Sequence, residues 1–441
     1  MNEVYAFNRL LITDLNDDCL YNIFKRLSVR DQLHLVKTCV RFRFIVKRMI
    51  WRMEFRETRT NSAETDDLNN AEYQDLFRHT AKFMENLTIA DNRHLIFASY
   101  LGRYTRRPEL AFYWSIHFPR LTSFECYDGR LHDGLLRLLA EKCPQLQRFR
   151  ASTDFITGAH LKDMRNLQEL YLPYCSLRAE HLRDIFECCL NLTHLDVSGC
   201  RNFMSALTTK KLPKLRHLKL SEYAIDADFV KSFEEYKLSE LTTLTVVDLL
   251  HEPVVNNYWK DFLECADARI VALNVFSGKH VSFSAMDVFA RHASKLRALH
   301  TLCGRALSRS RLLESFVQLP ALKHLQLYVD PEFESYSALI NIIDQSEYLQ
   351  RVDLLVSEPC EVNLLWLLET IEGMKLRKRQ KPLNLNVARP QLNNEETVRN
   401  EEDLITKNQS MLKITFDTSP LVYTVDTTCL SDTLLFKMKI T

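Results

Sequence analysis

LQELYLPYC, residues 167–175, and LTHLDVSGC, residues 192–200, read as two copies of one unit, L-x-x-L-x-L-x-x-C. Leu167, Leu170, Leu172 and Cys175 of the first match Leu192, Leu195, Val197 and Cys200 of the second. Apolar residues two apart share one face of a strand, so each unit predicts a short strand with one buried face. Weaker copies start at Leu121, Leu146, Leu215, Leu241, Ile270, Leu296, Leu322 and Leu349, with further ones at Met84 and Gln380. From Leu121 to Leu349 successive starts lie 21–29 residues apart, and a sustained period outranks any single-segment reading.

Helical spacing fills the gaps between strands, as at Leu135, Leu138 and Leu139; Leu182, Ile185, Phe186 and Cys189; Phe229, Phe233 and Tyr236; Met286, Phe289, Ala290 and Ala293; and Leu339, Ile342 and Ile343. A lone strand-helix unit cannot bury its leucines. The units are therefore expected to stack as one continuous α/β solenoid over 84–390, with parallel strands on the concave face and helices on the convex face. Residues 253–262 and 330–336 are expected to bulge as loops, and Lys375 to Pro382 as a basic, solvated turn. Residues 391–410 are polar and acidic, a linker, and 411–441 form a tail or cap with extended segments at Leu412–Phe416, Leu421–Val425 and Leu434–Ile440.

Side chains flanking the second and third apolar positions should face the concave wall. They are Ser123, Glu125, Arg148, Arg150, Glu169, Tyr171, His194, Asp196, His217, Lys219, Thr243, Thr245, Ala272, Asn274, His324, Gln326, Tyr328, Arg351 and Asp353. The set is polar, with a cationic sector from Arg148 to Lys219 that would favour an acidic or phosphorylated partner. Target contact is expected at Arg148, Arg150, Tyr171, His194, His217, Lys219, Tyr328 and Arg351.

Upstream, LITDLNDDCLYNIFKRLSVRDQLHLVKTCVRFRFIVKRMIW, residues 11–51, has a different periodicity. Asn16, Asp17 and Asp18 suit a helix start, and Leu20, Ile23, Phe24 and Leu27 follow at helical spacing. Ser28 to Asp31 interrupts the pattern and a second helix begins, with Asp31 as its expected N-cap and Leu33 and Val36 apolar. Phe42, Ile45, Val46, Met49 and Ile50 continue a third before Trp51. Residues 56–83 read as a connector, a polar loop from Thr58 to Asn70 and a helix from Ala71 to Met84, before a first strand at Leu87–Ile89.

Within residues 10–55 the chain resembles the F-box family, through Leu15, Asp18, Leu20, Ile23, Phe24, Leu27, Asp31, Leu33, Cys39, Arg41, Phe42 and Trp51. Asn16 stands where the family usually has proline, and Phe42 where it usually has tryptophan. The later repeats resemble the cysteine-containing class of leucine-rich repeats. The combined resemblance is to substrate receptors of Skp–cullin–F-box ubiquitin ligases. It implies that Leu15, Leu20, Ile23, Phe24, Leu27, Leu33, Val36, Phe42 and Trp51 bind a Skp-type adaptor and, through it, a cullin. It also implies that the repeats hold a target protein, in the cytoplasm, the nucleus or both. The other reading is a leucine-rich-repeat scaffold or inhibitor whose degenerate F-box engages no ligase.

Composition narrows the classes. Lys plus Arg number 58 against 57 for Asp plus Glu, which gives no global field for nucleic acid. Residues 1–60 alone carry an excess, twelve basic against seven acidic. No run of eighteen apolar residues predicts a membrane span. Eight glycines in 441 residues build no phosphate loop. His251-Glu252 lacks the second histidine of a zinc protease, no nucleophile elbow is present, and the twelve scattered cysteines form no paired Cys-x-x-Cys. Cys175 and Cys200 are expected to be small buried ladder residues, and Cys188 and Cys189 to pack at a helix end. The expectation is a non-catalytic receptor with no cofactor and no metal.

Overall fold

The computed structural model describes residues 11–59, 68–89, 116–126, 131–207, 212–235, 237–248, 258, 261–262, 272–277, 298–301, 322–329, 336–346, 348–356, 370, 383–388, 412–417, 422–425 and 436–439. The chain forms two compact units, Met1–Leu192 and Thr193–Thr441.

The first unit begins with a helical cluster. In α1, Asp17–Phe24, the Asn16 side chain accepts from the Cys19 amide at 2.8 Å, and Asp17 and Asp18 place negative charge at the first turn. α2, Val29–Thr38, is capped by Ser28 and not by Asp31. The Asp31 amide donates to Ser28 Oγ, and that hydroxyl donates to the Asp31 carboxylate at 2.7 Å, so the two residues share the cap. Cys39 is extended and breaks the chain into α3, Val40–Phe44. Ile45–Ile50 then winds with π spacing into α4, Trp51–Glu54. Ile45, Val46, Ile50 and Trp51 are all buried, a recurrence of five that a plain 3.6-residue helix would rotate out of the core.

The connector departs from expectation. Glu57–Arg59 is a strand, β1, with Thr58 buried, and it pairs in parallel with β2, Asn86–Ile89. Three residues without the leucine pattern leave no periodic signal. α5, Asn70–Thr80, starts from an Asn69–Glu72 capping box and lies against the cluster. Arg30 meets Glu72 at 3.0 Å, Lys37 meets Asp75 at 2.8 Å, and Tyr73, Leu76 and Phe77 are buried. A fragment ending near residue 55 would lack the Arg30–Glu72 and Lys37–Asp75 pairs.

From β2 the ladder runs in chain order through β3, Ser123–Cys126; β4, Arg148–Ala151; and β5, Glu169–Tyr171, all parallel. Leu87, Phe124, Phe149 and Leu170 are in register and buried, which confirms the strand started by Met84. α6, Asp133–Lys142, follows β3 and buries Leu135, Leu136 and Leu139, whereas Leu138 is only half-buried. α7, Ala179–Cys188, follows β5 and buries Leu182, Ile185 and Phe186 as expected.

The second unit repeats the scheme. Its strands are β6, His194–Asp196; β7, His217–Ser221; β8, Thr243–Asp248; β9, Ala272–Ser277; β10, Ala298–Thr301; β11, His324–Val329; β12, Arg351–Val356; β13, Leu383–Ala388; and β14, Leu412–Asp417. Each pairs in parallel with the next. The register aligns Val352 with Leu385, so the repeat expected from Gln380 is displaced by two residues. Leu383, Leu385 and Val387 alternate and are all buried, which is why the pattern can be laid two residues early. β14 continues the parallel sheet beyond 390, while β15, Val422–Val425, and β16, Phe436–Lys439, form an antiparallel pair.

α8, Phe203–Leu207; α9, Ala227–Glu234; and α10, Tyr336–Gln345, intervene between strands. Phe229 and Phe233 of α9 pack on Phe262, each with ring centroids 5.3 Å from it. Leu339, Ile342 and Ile343 of α10 are buried as expected. The Tyr236, Met286, Phe289, Ala290 and Ala293 expectations lie outside the described residues, as do most of 253–262 and 330–336 and all of 375–382 and 391–410.

Candidate functional site

Two zones can present a surface to a partner: the helical cluster and the strand faces opposite the leucines. In the cluster, Leu20, Phe24, Leu33, Val36, Phe42 and Trp51 are interior. The Trp51 indole N–H donates to Gln32 Oε1 at 2.6 Å, and Gln32 Nε2 donates to the Phe24 and Leu27 carbonyls, both at 3.1 Å. A buried amide is thereby spent fixing three segments. Phe42 meets Phe24 edge-on at 4.8 Å, so phenylalanine fills the place where the family usually has tryptophan. Arg41 donates from Nε to Asp17 at 2.8 Å and from its terminal nitrogens to the carbonyls of Thr13 at 2.7 Å and Leu15 at 2.5 Å. It pins the first turn, Ile12–Asp14, to α3. Residues 12–52 match the F-box domain, and this cluster is an F-box.

Of the nine residues expected at an adaptor contact, only Ile23, at 40% exposure, and half-buried Leu15 and Leu27 reach the F-box surface. The other six, Leu20, Phe24, Leu33, Val36, Phe42 and Trp51, are buried and shape it from inside, contrary to the expectation that they touch a partner directly. Helical spacing identifies an apolar stripe but not which members another helix covers. Exposed apolar residues that the sequence reading passed over are Leu11, Ile12, Val40 at 77%, Phe44 at 54% and Met53. Val40 and Phe44 stand one turn apart, opposite the buried face of α3, and that i, i+4 spacing was their only signal.

No curated protein sequence matches the chain. Among solved structures it is similar to the Rad7–Elc1 complex of yeast, at 14% identity over 78% of this chain and 90% of that chain, with a TM-score of 0.42. It is also similar to an internalin of Listeria monocytogenes, at 15% identity over 74% of this chain and 88% of that chain, with a TM-score of 0.29.

On the strand faces of the first unit, Ser123, Glu125, Arg148, Arg150, Glu169 and Tyr171 are half-buried. Arg148 Nε meets Glu169 Oε2 at 2.5 Å, and the Tyr171 hydroxyl donates to the same oxygen at 3.0 Å. The Arg150 guanidinium lies 5.7 Å from the centre of the Tyr171 ring. Burial, with the Glu169 charge beside it, holds the Tyr171 phenol above its ordinary pKa.

The second unit overturns the expectation of an open wall. His194, Asp196, His217, Lys219, Thr243, Thr245, His324 and Asp353 are buried. Lys219 Nζ pairs with Asp196 at 2.9 Å, and Asp196 also accepts from the Ser198 amide and hydroxyl. His324 Nε2 lies 2.5 Å from Asp353 Oδ2, and Arg351 Nε meets Asp353 at 2.9 Å. Burial works against the Asp353 carboxylate, but the His324 hydrogen bond and charge, with Arg351, outweigh it and hold its pKa down. The side chains of Ala272, Asn274, Gln326 and Tyr328 lie outside the description. His194, His217 and Lys219 are therefore enclosed polar groups, and the expected cationic sector is absent as such: Arg148 and Lys219 are each neutralised by a carboxylate.

His194 and His217 stack with centroids 4.1 Å apart. Burial first, then His194 and Arg216, push the His217 pKa down to about 3. An unfolded histidine titrates near 6.5, so between these values only the unfolded chain takes the proton, and stability falls as pH drops below about 6.5. The expected loss from this one group is about 2 kcal/mol at pH 5. Urea unfolding at several pH values should show a shallower pH slope for His217→Gln than for the wild type; equal slopes would remove the assignment.

Cys175 and Cys200 are buried, as expected of ladder residues, and burial raises the Cys143 and Cys189 thiols to about 12, far from a reactive thiolate. Among the described residues no group of three or more His, Cys, Asp or Glu is placed to hold a metal, and no helix is long and apolar enough to cross a membrane.

Proposed function

We propose that the chain is the target-receptor subunit of a Skp–cullin–F-box ubiquitin ligase. The observation that carries this is an F-box with a packed interior and exposed apolar side chains, ion-paired to α5 and followed in the chain by an array of parallel strands. The alternating buried positions in the array support leucine-rich repeats. On this reading Ile23, Leu15 and Leu27, together with the exposed Val40 and Phe44 of α3, meet the adaptor, and the adaptor brings the cullin. The two departures from the family do no harm to the fold, since Asn16 caps α1 and Phe42 is packed.

The chain supplies no covalent chemistry of its own; it acts by holding a target near a charged conjugating enzyme, which raises the effective concentration of the target's lysines. Target contact is assigned to the half-buried face of β3–β5, where Arg148, Arg150, Glu169 and Tyr171 offer both charges and an aromatic ring. Balanced charge there argues for a polar target of mixed sign, not an acidic one. With the proteasome inhibited, ubiquitinated proteins should accumulate on the full-length wild type. Their loss on Arg150→Ala/Tyr171→Ala, with adaptor binding kept, is expected; an unchanged set would place recognition on another surface.

A further inference from the structure

Where α5 meets the F-box, basic side chains from both gather, with Asp75 as the carboxylate that faces them among the described residues. Arg43 on α3 and Lys47 in the π turn are four residues apart on one helical run, and His79 at the end of α5 is three residues before Lys82. Lys47 Nζ donates to His79 Nδ1 at 2.9 Å, which places the ring proton of the neutral imidazole on Nε2. The ring itself is held by stacking on Trp51, with centroids 6.2 Å apart. Arg43 spends Nε on the Val36 carbonyl at 2.9 Å, which fixes the guanidinium plane. The Lys82 ammonium sits 4.9 Å from the Phe83 ring centre.

Among the described residues no ion pair forms at Arg43, Lys47 or Lys82. Asp75 also faces His79, but it is engaged by Lys37 at 2.8 Å and Arg78 at 3.3 Å. The accumulation is unfavourable in the free protein: burial, Arg43 and Lys82 hold the Lys47 pKa low, and burial and Lys47 do the same to His79. Charge concentrated at such a cost, on elements that fix its geometry, is a mark of a ligand site more than of a solvated face.

We propose that Arg43, Lys47, His79 and Lys82 form a binding site for a phosphate monoester. A guanidinium, two ammonium groups and a ring N–H offer more donors than a carboxylate's two oxygens use, whereas a phosphate ester presents three oxygens and nearly two charges. The guanidinium suits two of those oxygens at once. The assignment needs only the packing of α5 on the F-box and stands whether or not the chain serves a ligase.

The test uses the full-length protein at constant ionic strength, titrated calorimetrically with inorganic phosphate and with one serine-centred peptide in phosphorylated and unmodified forms. Phosphate and phosphopeptide should bind and the unmodified peptide should not. Arg43→Gln/Lys82→Gln, which alters only exposed side chains, should weaken both by about tenfold or more, as loss of a charge-assisted hydrogen bond predicts. A phosphopeptide much tighter than inorganic phosphate assigns the ligand to a phosphoprotein, and equal affinities assign it to a small phosphorylated molecule. Heat no greater than a chloride control gives, or binding unchanged in the variant with an unchanged melting temperature, would overturn the site.

Discussion

Leu20→Ala is expected to destabilise the F-box by about 2–5 kcal/mol, while Ile23→Ala leaves its melting almost unchanged and acts on the adaptor instead. The two residues sit three apart in α1 and belong to the same sequence pattern, yet Leu20 is fully enclosed and Ile23 is 40% exposed. Truncating Leu20 leaves a cavity in the F-box interior, one turn of α1 from Phe24, that the close-packed surroundings fill only in part. Truncating Ile23 removes apolar area from a surface that, on the proposed function, is buried only when the adaptor binds. Denaturant unfolding and adaptor affinity, measured on both variants, should separate: stability lost in the first, affinity lost in the second. Ile23→Ala with a large stability loss and unaltered affinity would contradict the division of interior from surface.

Lys219→Met should cost about 3–5 kcal/mol, the second large effect, because it leaves the Asp196 carboxylate buried without its cation. Asp196 keeps the Ser198 amide and hydroxyl, which offset part of the desolvation but carry no full charge. Lys219→Met/Asp196→Asn should recover most of the loss, since asparagine retains an acceptor for Ser198 and no charge remains to be solvated. Urea unfolding of the three proteins gives the comparison. A loss below about 1 kcal/mol for Lys219→Met would show that water reaches the pair and that this strand face is open.

The strand ladder was legible because leucine at fixed offsets is a strong, repeated signal: Leu87 through Leu170 and Leu195 through Val352 fall where the spacing places them. What escaped was whatever depends on a neighbour in space. β1 has no periodicity of its own and is a strand only because β2 lies beside it. The Gln380 start failed because Leu383, Leu385 and Val387 fit two registers, and only pairing with β12 chooses between them. The adaptor list confused core with surface for the same reason, as Trp51 and Leu33 satisfy a motif by supporting a face they do not reach. Likewise the period of two correctly put His194, His217 and Lys219 opposite the leucines, but no sequence pattern says what covers that face. The seam with α5, and with it the basic cluster, joins residues more than thirty positions apart and left no mark in the spacing.

The most direct test of the receptor reading is co-purification of a Skp-type adaptor with the full-length chain, for the wild type and for Ile23→Asp/Phe44→Asp. Both replaced residues are exposed, so the variant should melt as the wild type does. Adaptor should be bound by the wild type and lost from the variant, because two carboxylates would be desolvated in an apolar contact. Adaptor absent from the wild type, or retained by a folded variant, would contradict the receptor reading.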